Sequence, residues 1–109
     1  HADLEKARLV RANLADADLR NASMLHAVID GCVLARARLN ELDFRSPSLG
    51  NISFAAADLR KSVFTKCELR NMNFRKANLD STDFRHANLE GVNLSGASLS
   101  DAVQFVLCN

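Results

Sequence analysis

From Leu4 onward every fifth residue is large and apolar, through Leu9, Leu14, Leu19, Met24 and Ile29 to Leu89, Leu94 and Leu99. Twenty consecutive steps land without one failure. A pattern this regular is a repeat architecture and has to be read before anything else. Two positions before each large residue stands a small or apolar one, and it is Ala in eleven of the twenty units. The residue between them is Asp or Asn in ten units, as at Asp3, Asn13, Asp18, Asp43 and Asn88. The other two places are mostly polar.

No ordinary helix or strand buries such a set. A helix turns about 100° per residue, so a step of five scatters the apolar residues around its axis. A straight strand alternates faces, so a step of five flips each successive Leu to the other side. Within one unit, however, the small and the large residue are two apart and share a face of an extended segment. The chain is therefore expected to run extended for three residues, turn a corner over two, and wind into a solenoid with the Leu/Phe and Ala positions inside.

The phenylalanines set the number of sides. Phe44, Phe54, Phe64, Phe74 and Phe84 are spaced by ten. In a coil of fifteen residues they would not align. In a four-sided coil of twenty, Phe44, Phe64 and Phe84 stack in one column and Phe54 and Phe74 stack on the opposite wall, a favourable aromatic arrangement. Leu19, Leu39, Leu59, Leu79 and Leu99 then form an all-Leu column. Twenty units make five coils, about 24 Å tall at the spacing of paired strands. The structural core is expected at the five phenylalanines with Leu59 and Leu79.

The units Ala2-Asp3-Leu4-Glu5-Lys6, Ala12-Asn13-Leu14-Ala15-Asp16, Ala17-Asp18-Leu19-Arg20-Asn21 and Ala87-Asn88-Leu89-Glu90-Gly91 resemble the A(D/N)LXX motif of pentapeptide repeat proteins. The resemblance covers essentially the whole chain. It implies an all-β fold, a right-handed quadrilateral parallel β-helix of about five four-sided coils; handedness is not readable from the spacing. It implies no single activity, since the family includes DNA-mimicking topoisomerase inhibitors and many proteins of unknown role.

Two stretches depart from the pattern. Leu42, Pro47 and Ile52 replace Ala within 41–56, and Arg45-Ser46-Pro47-Ser48 crosses a corner. Proline cannot donate to a ladder, so a bulge is expected near Pro47. It is read either as a protruding recognition site or, with more weight, as drift at a tolerated corner. After residue 100 the register is lost, because Gln104 stands where the next Leu or Phe belongs. The chain thus divides into a β-helix, 1–100, and a tail, 101–109. Phe105, Val106 and Leu107 are too apolar to dangle beside an open solenoid end, and are expected to form a cap or a homodimer contact.

Catalytic and metal-binding chemistry is not expected. Cys32 and Cys67 sit at inward small positions on different walls, about 8 Å apart along the axis from strand spacing alone, beyond the reach of a disulfide; Cys108 lies in the tail. His26 and His86 share a corner column but are separated by three coils, about 14 Å, too far to share a metal. Ser46 and Ser48 have no assigned base. Asp and Asn between the inward positions are expected to bond turn backbone. No catalytic constellation, metal site or cofactor motif is found. No run of about eighteen apolar residues is present, so no membrane helix is expected, nor is a signal-peptide pattern seen. The chain begins with His and reads as a processed fragment; the expected location is the cytoplasm.

Charge separates the roles the resemblance leaves open. The net charge is +1. Twelve basic residues fall at corner positions against seven acids, an excess of five. Over 60–79, one complete coil, Arg60, Lys61, Lys66, Arg70, Arg75 and Lys76 face a single acid, Glu68. This basic belt, with the corner at Arg45 and Pro47, is the candidate binding surface; it is also read, with more weight, as Lys and Arg that keep the rod soluble and block edge pairing. A DNA mimic needs continuous negative potential, and outward aromatics for base stacking are missing. The sequence therefore favours a non-catalytic scaffold that binds a protein partner, over a DNA-mimic inhibitor or protector of a type II topoisomerase such as gyrase, and over nucleic acid as the partner.

Overall fold

The computed structural model describes residues 3–46 and 48–100. Bridges join residues twenty apart in the chain, all of them parallel: Asp3 to Ser23, Arg8 to Val28, Asn13 to Val33 and Asp18 to Arg38 begin the four walls. Twenty residues therefore close one coil, and the solenoid has four sides. The cross-section of 23 × 22 Å, against a length of 30 Å, agrees with four equal walls. The first wall is centred on Asp3, Ser23, Asp43, Val63 and Asp83. The second is centred on Arg8, Val28, Ser48, Glu68 and Asn88; the third on Asn13, Val33, Ser53, Asn73 and Asn93; the fourth on Asp18, Arg38, Asp58, Asn78 and Ser98.

Corners are left-handed turns made largely without glycine. At the described corners other than 49–52 the large apolar residue's carbonyl accepts from the amide three residues on, as Leu4 from Ala7 at 3.0 Å. The second central residue takes a positive φ, the arrangement of a type II turn. Among the described residues, fifteen that are not glycine have a positive φ, among them Lys6, Arg36, Ala56 and Lys76. The left-handed region costs an L-residue about 1–2 kcal/mol. That cost is offset where the same residue's N–H donates to the next coil, as Lys6 to Leu25 at 2.9 Å and Ala56 to Arg75 at 2.8 Å. Asp and Asn at the wall centres act on the corner as well. Their carboxylate or amide oxygen accepts the N–H two residues ahead, as Asp3 from Glu5 and Asn88 from Glu90, which is why these short polar residues recur there.

The interior follows the expected columns. Phe44 and Phe64 stack with ring centroids 4.6 Å apart, Phe64 and Phe84 at 5.3 Å, and Phe54 and Phe74 at 5.1 Å. The two columns meet edge to face across the core at 5.5–5.9 Å. All five rings, Leu59 and Leu79 are buried. Polar residues at the inward small position are satisfied by one rule. Cys32, Ser62, Cys67 and Thr82 donate to the carbonyls of Leu9, Leu39, Phe44 and Leu59, twenty-three residues earlier. Cys32 and Cys67 are free thiols; Cys32 is fully buried and Cys67 half-buried.

The ladder opens around 43–51. Among the described residues, the first wall lacks the bridge from Ser23 to Asp43 and the second lacks that from Ser48 to Glu68. Asp43 and Phe44 keep the coil above, through the bridge to Val63, whereas from Ser46 the segment stays on the coil below: Ser48 donates to Ala27 through its amide, the Ser46 hydroxyl accepts the His26 amide, and the Ser48 hydroxyl donates to Asp30. Toward the coil above, the Leu49 and Asn51 amides make none of the bonds that Leu69 and Asn71 make one coil later, to Asn88 and Glu90 at 2.9 Å each. A gap opens there, lined by Phe44, Arg45, Leu49, Lys66, Cys67 and Glu68. The bulge expected at Pro47 lies outside the described residues; the ladder on either side of it is interrupted. The Leu49 and Asn51 amides are expected to exchange hydrogen roughly tenfold or more faster than those of Leu69 and Asn71. Equal protection in a residue-resolved exchange experiment would mean that the seam is closed in solution.

Candidate functional site

The outward surface is a lattice of wall centres and corners, and its charges fall into two groups. In the first, an acid at a wall centre holds the arginine two residues ahead, because positions two apart on an extended segment share a face. Asp18 with Arg20, Asp43 with Arg45, Asp58 with Arg60 and Asp83 with Arg85 form two-pronged pairs at 2.6–2.8 Å. Glu68 and Arg70 lie at 3.6 Å. Arg36 reaches down one coil to Asp16 at 2.8 Å, and Arg38 approaches Asp18 at 3.6 Å. The Arg20 guanidinium holds the Asp18 carboxyl far below the usual carboxylate range, and Arg45, Arg60 and Arg85 lower Asp43, Asp58 and Asp83 in the same way.

A second group has no such partner among the described residues: Lys6, Arg8 and Arg11 in the first coil, and four cations of the belt. Among the described residues, no carboxylate stands within ion-pair distance of Lys61, Lys66, Arg75 or Lys76. The belt expected over 60–79 thus divides: Arg60 and Arg70 are tied to Asp58 and Glu68, while four cations remain uncompensated on three of the four corners. Arg45 is tied to Asp43. Pro47 and the tail residues Phe105, Val106 and Leu107 lie outside the described residues. The signal for the pairing is the spacing Asp-x-Arg at 18–20, 43–45, 58–60 and 83–85, which joins a wall position to a corner position.

These pairs make stability depend on pH. A carboxyl whose folded pKa is depressed contributes stability above its unfolded value, near 3.8–3.9, and that contribution fades as pH falls toward the folded value. Asp16, Asp18, Asp43, Asp58 and Asp83 all shift downward. Thermal stability is therefore expected to be level from pH 7 to about 5 and to fall below about 4. Solvent screening keeps each exposed pair's share small. An unchanged melting temperature at pH 3 would show that the pairs contribute nothing.

Other chemistry is sparse. Burial pushes the Cys67 thiol up to about 11, so it stays protonated. Among the described residues no three His, Cys, Asp or Glu side chains converge as a metal site. No described helix is long and apolar enough to cross a membrane.

Comparison with known proteins rests on the same repeat. Residues 43–109 match the family described as pentapeptide repeat region, and residues 1–36 match pentapeptide repeats in eight copies. The chain belongs to the pentapeptide repeat family. Solved pentapeptide repeat structures share its architecture, and the solenoid is a right-handed quadrilateral β-helix. The pentapeptide repeat protein Rfr23 from the cyanobacterium Cyanothece 51142 is 25% identical, with a TM-score of 0.51, covering 91% of this chain and 64% of its own. HetL, a pentapeptide repeat protein involved in heterocyst differentiation regulation in the cyanobacterium Nostoc sp. strain PCC 7120, is 26% identical with a TM-score of 0.51, covering 94% and 59%. A trypsin-treated form of QnrB1, a plasmid-mediated fluoroquinolone resistance protein, is 21% identical with a TM-score of 0.56, covering 98% and 64%, a likeness of fold alone. This pentapeptide repeat chain thus spans under two thirds of the length of these relatives. A search of curated proteins gave no match.

Proposed function

We propose that this pentapeptide repeat chain is a non-catalytic interaction module, a rigid rod that docks a protein partner through its cationic corners. The observation that carries the reading is the contrast within the surface: most corner arginines are held by a neighbouring acid, whereas Lys61, Lys66, Arg75 and Lys76 are not. Cations without an intramolecular partner are free to meet carboxylates across an interface, where charge complementarity sets both encounter rate and specificity. HetL, similar in fold and repeat, is described as acting in regulation, which suits a module that works by contact. The tail, 101–109, belongs to the same proposal as a cap or homodimer contact.

The alternative is a DNA-mimic that inhibits or protects gyrase. It gains support from the family resemblance. Against it, the wall acids that would imitate phosphates are largely bridged to arginine, and a mimic needs an unbroken negative surface. Gyrase supercoiling in the presence of stoichiometric protein is expected to proceed unchanged. Inhibition would overturn the ranking. Substituting Arg60, Lys61, Arg75 and Lys76 together with Gln is expected to abolish partner capture at about 150 mM salt, where the Debye length is about 8 Å; full retention would reduce the belt to a solvated surface.

A further inference from the structure

The third wall differs from the other three in charge. Its fifteen positions, 12–14, 32–34, 52–54, 72–74 and 92–94, include no Asp, Glu, Lys or Arg. The first wall carries Asp3, Asp43 and Asp83, the second Arg8 and Glu68, and the fourth Asp18, Arg38 and Asp58. In the middle of the rod the contrast extends over the corners. Residues 50–56 and 70–76, which form the third wall and both its corners in two successive coils, hold Arg70, Arg75 and Lys76 and no carboxylate.

The polar groups on this wall are donors by construction. Asn73 accepts the Arg75 amide at 2.9 Å, Asn93 accepts that of Ser95 at 2.9 Å, and Asn13 accepts that of Ala15 at 3.1 Å. A backbone N–H must meet an oxygen, so each side chain turns its oxygen to its own corner, where one lone pair is taken up. The NH2 group is turned away from the corner, and among the described residues it has no acceptor. At the equivalent place on the first and fourth walls, Asp offers two oxygens that take both the amide and an arginine. The third wall therefore presents amide donors beside uncompensated cations, with no acceptor charge among them.

We propose that the third wall, centred on Asn73 and bordered by Arg75 and Lys76, is the docking face for an extended acidic segment of a partner protein. Carboxylates of such a segment pair with Arg75 and Lys76 and accept from the Asn73 amide, and the absence of acid over 50–56 and 70–76 removes like-charge repulsion. The inference rests on the interaction-module reading and narrows it from a belt around the rod to one side of it.

The test uses the whole chain and a fluorescent deca-glutamate peptide read by anisotropy at about 50 mM salt, with thermal melts to confirm folding. Asn73→Asp keeps the turn bond, because Asp makes it at Asp43 and Asp58, and is expected to weaken binding several-fold. The pair Arg75→Gln and Lys76→Gln is expected to weaken it tenfold or more. The pair Lys61→Gln and Lys66→Gln, elsewhere on the belt, is expected to weaken it by threefold at most, and Lys6→Gln, outside the belt, is expected to leave it within twofold. Equal losses from both pairs would overturn the face while keeping the belt. Loss only from Lys61 and Lys66 would also overturn the face, and no binding by the unaltered chain would overturn both. Tighter binding of single-stranded oligothymidine, sensitive to Arg75→Gln and Lys76→Gln, would assign the face to nucleic acid and overturn the acidic-protein proposal.

Discussion

Replacing Phe64 with Ala is expected to lower the melting temperature by about 15 °C or more. The ring is fully buried. It stacks on Phe44 and Phe84 and meets Phe54 and Phe74 edge-on at 5.7 and 5.8 Å, so it is the only phenylalanine with four aromatic neighbours among the described contacts. Truncating a buried Phe costs about 3–5 kcal/mol, through lost transfer free energy and the cavity left behind. Small domains are stable by only about 5–15 kcal/mol, so the loss takes a large share. In a solenoid each coil contacts only its neighbours, and a defect in the fourth coil separates the coils on either side. Phe64→Leu should be far milder, because Leu59 and Leu69 fill the same inward position on adjacent walls. A denaturant titration showing less than about 1 kcal/mol for Phe64→Ala would mean that the aromatic columns do not hold the rod together.

The second large effect is expected at Gly91. Its φ is +73°, and an added Cβ would run into the side-chain oxygen of Asn71 one coil below. The left-handed backbone costs Ala about 1–2 kcal/mol, and the clash adds to this, while the stiffer unfolded chain returns about 0.4–1 kcal/mol. Gly91→Ala should therefore destabilise by about 1–2 kcal/mol. Gly31, also left-handed, faces the aliphatic Cγ of Arg11 at 3.1 Å, so Gly31→Ala should cost less. Adding Asn71→Ala to Gly91→Ala should recover the clash and leave the backbone cost, a coupling that a double-mutant cycle measures. Equal costs at the two glycines with no coupling would contradict the assigned contact.

Much of this architecture was written in the sequence because the repeat fixes every inward position. The spacing of the phenylalanines gave the four sides and both aromatic columns, and the recurring Asp and Asn marked residues that bond turn backbone. The left-handed corners were less legible. Positive φ usually advertises itself as glycine, and here Lys, Arg, Asn and His occupy it, with the inter-coil bond offsetting the strain. The surface is less legible for a different reason. Adding up corner charges treats each as independent, whereas Asp43 and Arg45, or Asp83 and Arg85, share one face and neutralise each other. The open seam near 43–51 was signalled by Pro47, but nothing in the sequence says which coil the segment follows. Ser46 and Ser48 decide that, by bonding His26 and Asp30 on the coil below.

The twenty-residue closure also governs which changes of length the molecule can absorb. Any vertical neighbour is found by adding twenty, as Phe44, Phe64 and Phe84 are. Inserting twenty residues adds a storey and leaves every address intact. Inserting five respects the local repeat, yet turns everything downstream by a quarter revolution: a unit placed between Phe54 and Phe64 would carry Phe64 off Phe44 and onto the wall above Leu49. Ion pairs within a unit would survive, while contacts between storeys would be exchanged for others. Evolution by unit duplication is thereby filtered into steps of four, and a surface such as the third wall can lengthen only when the whole building gains a floor.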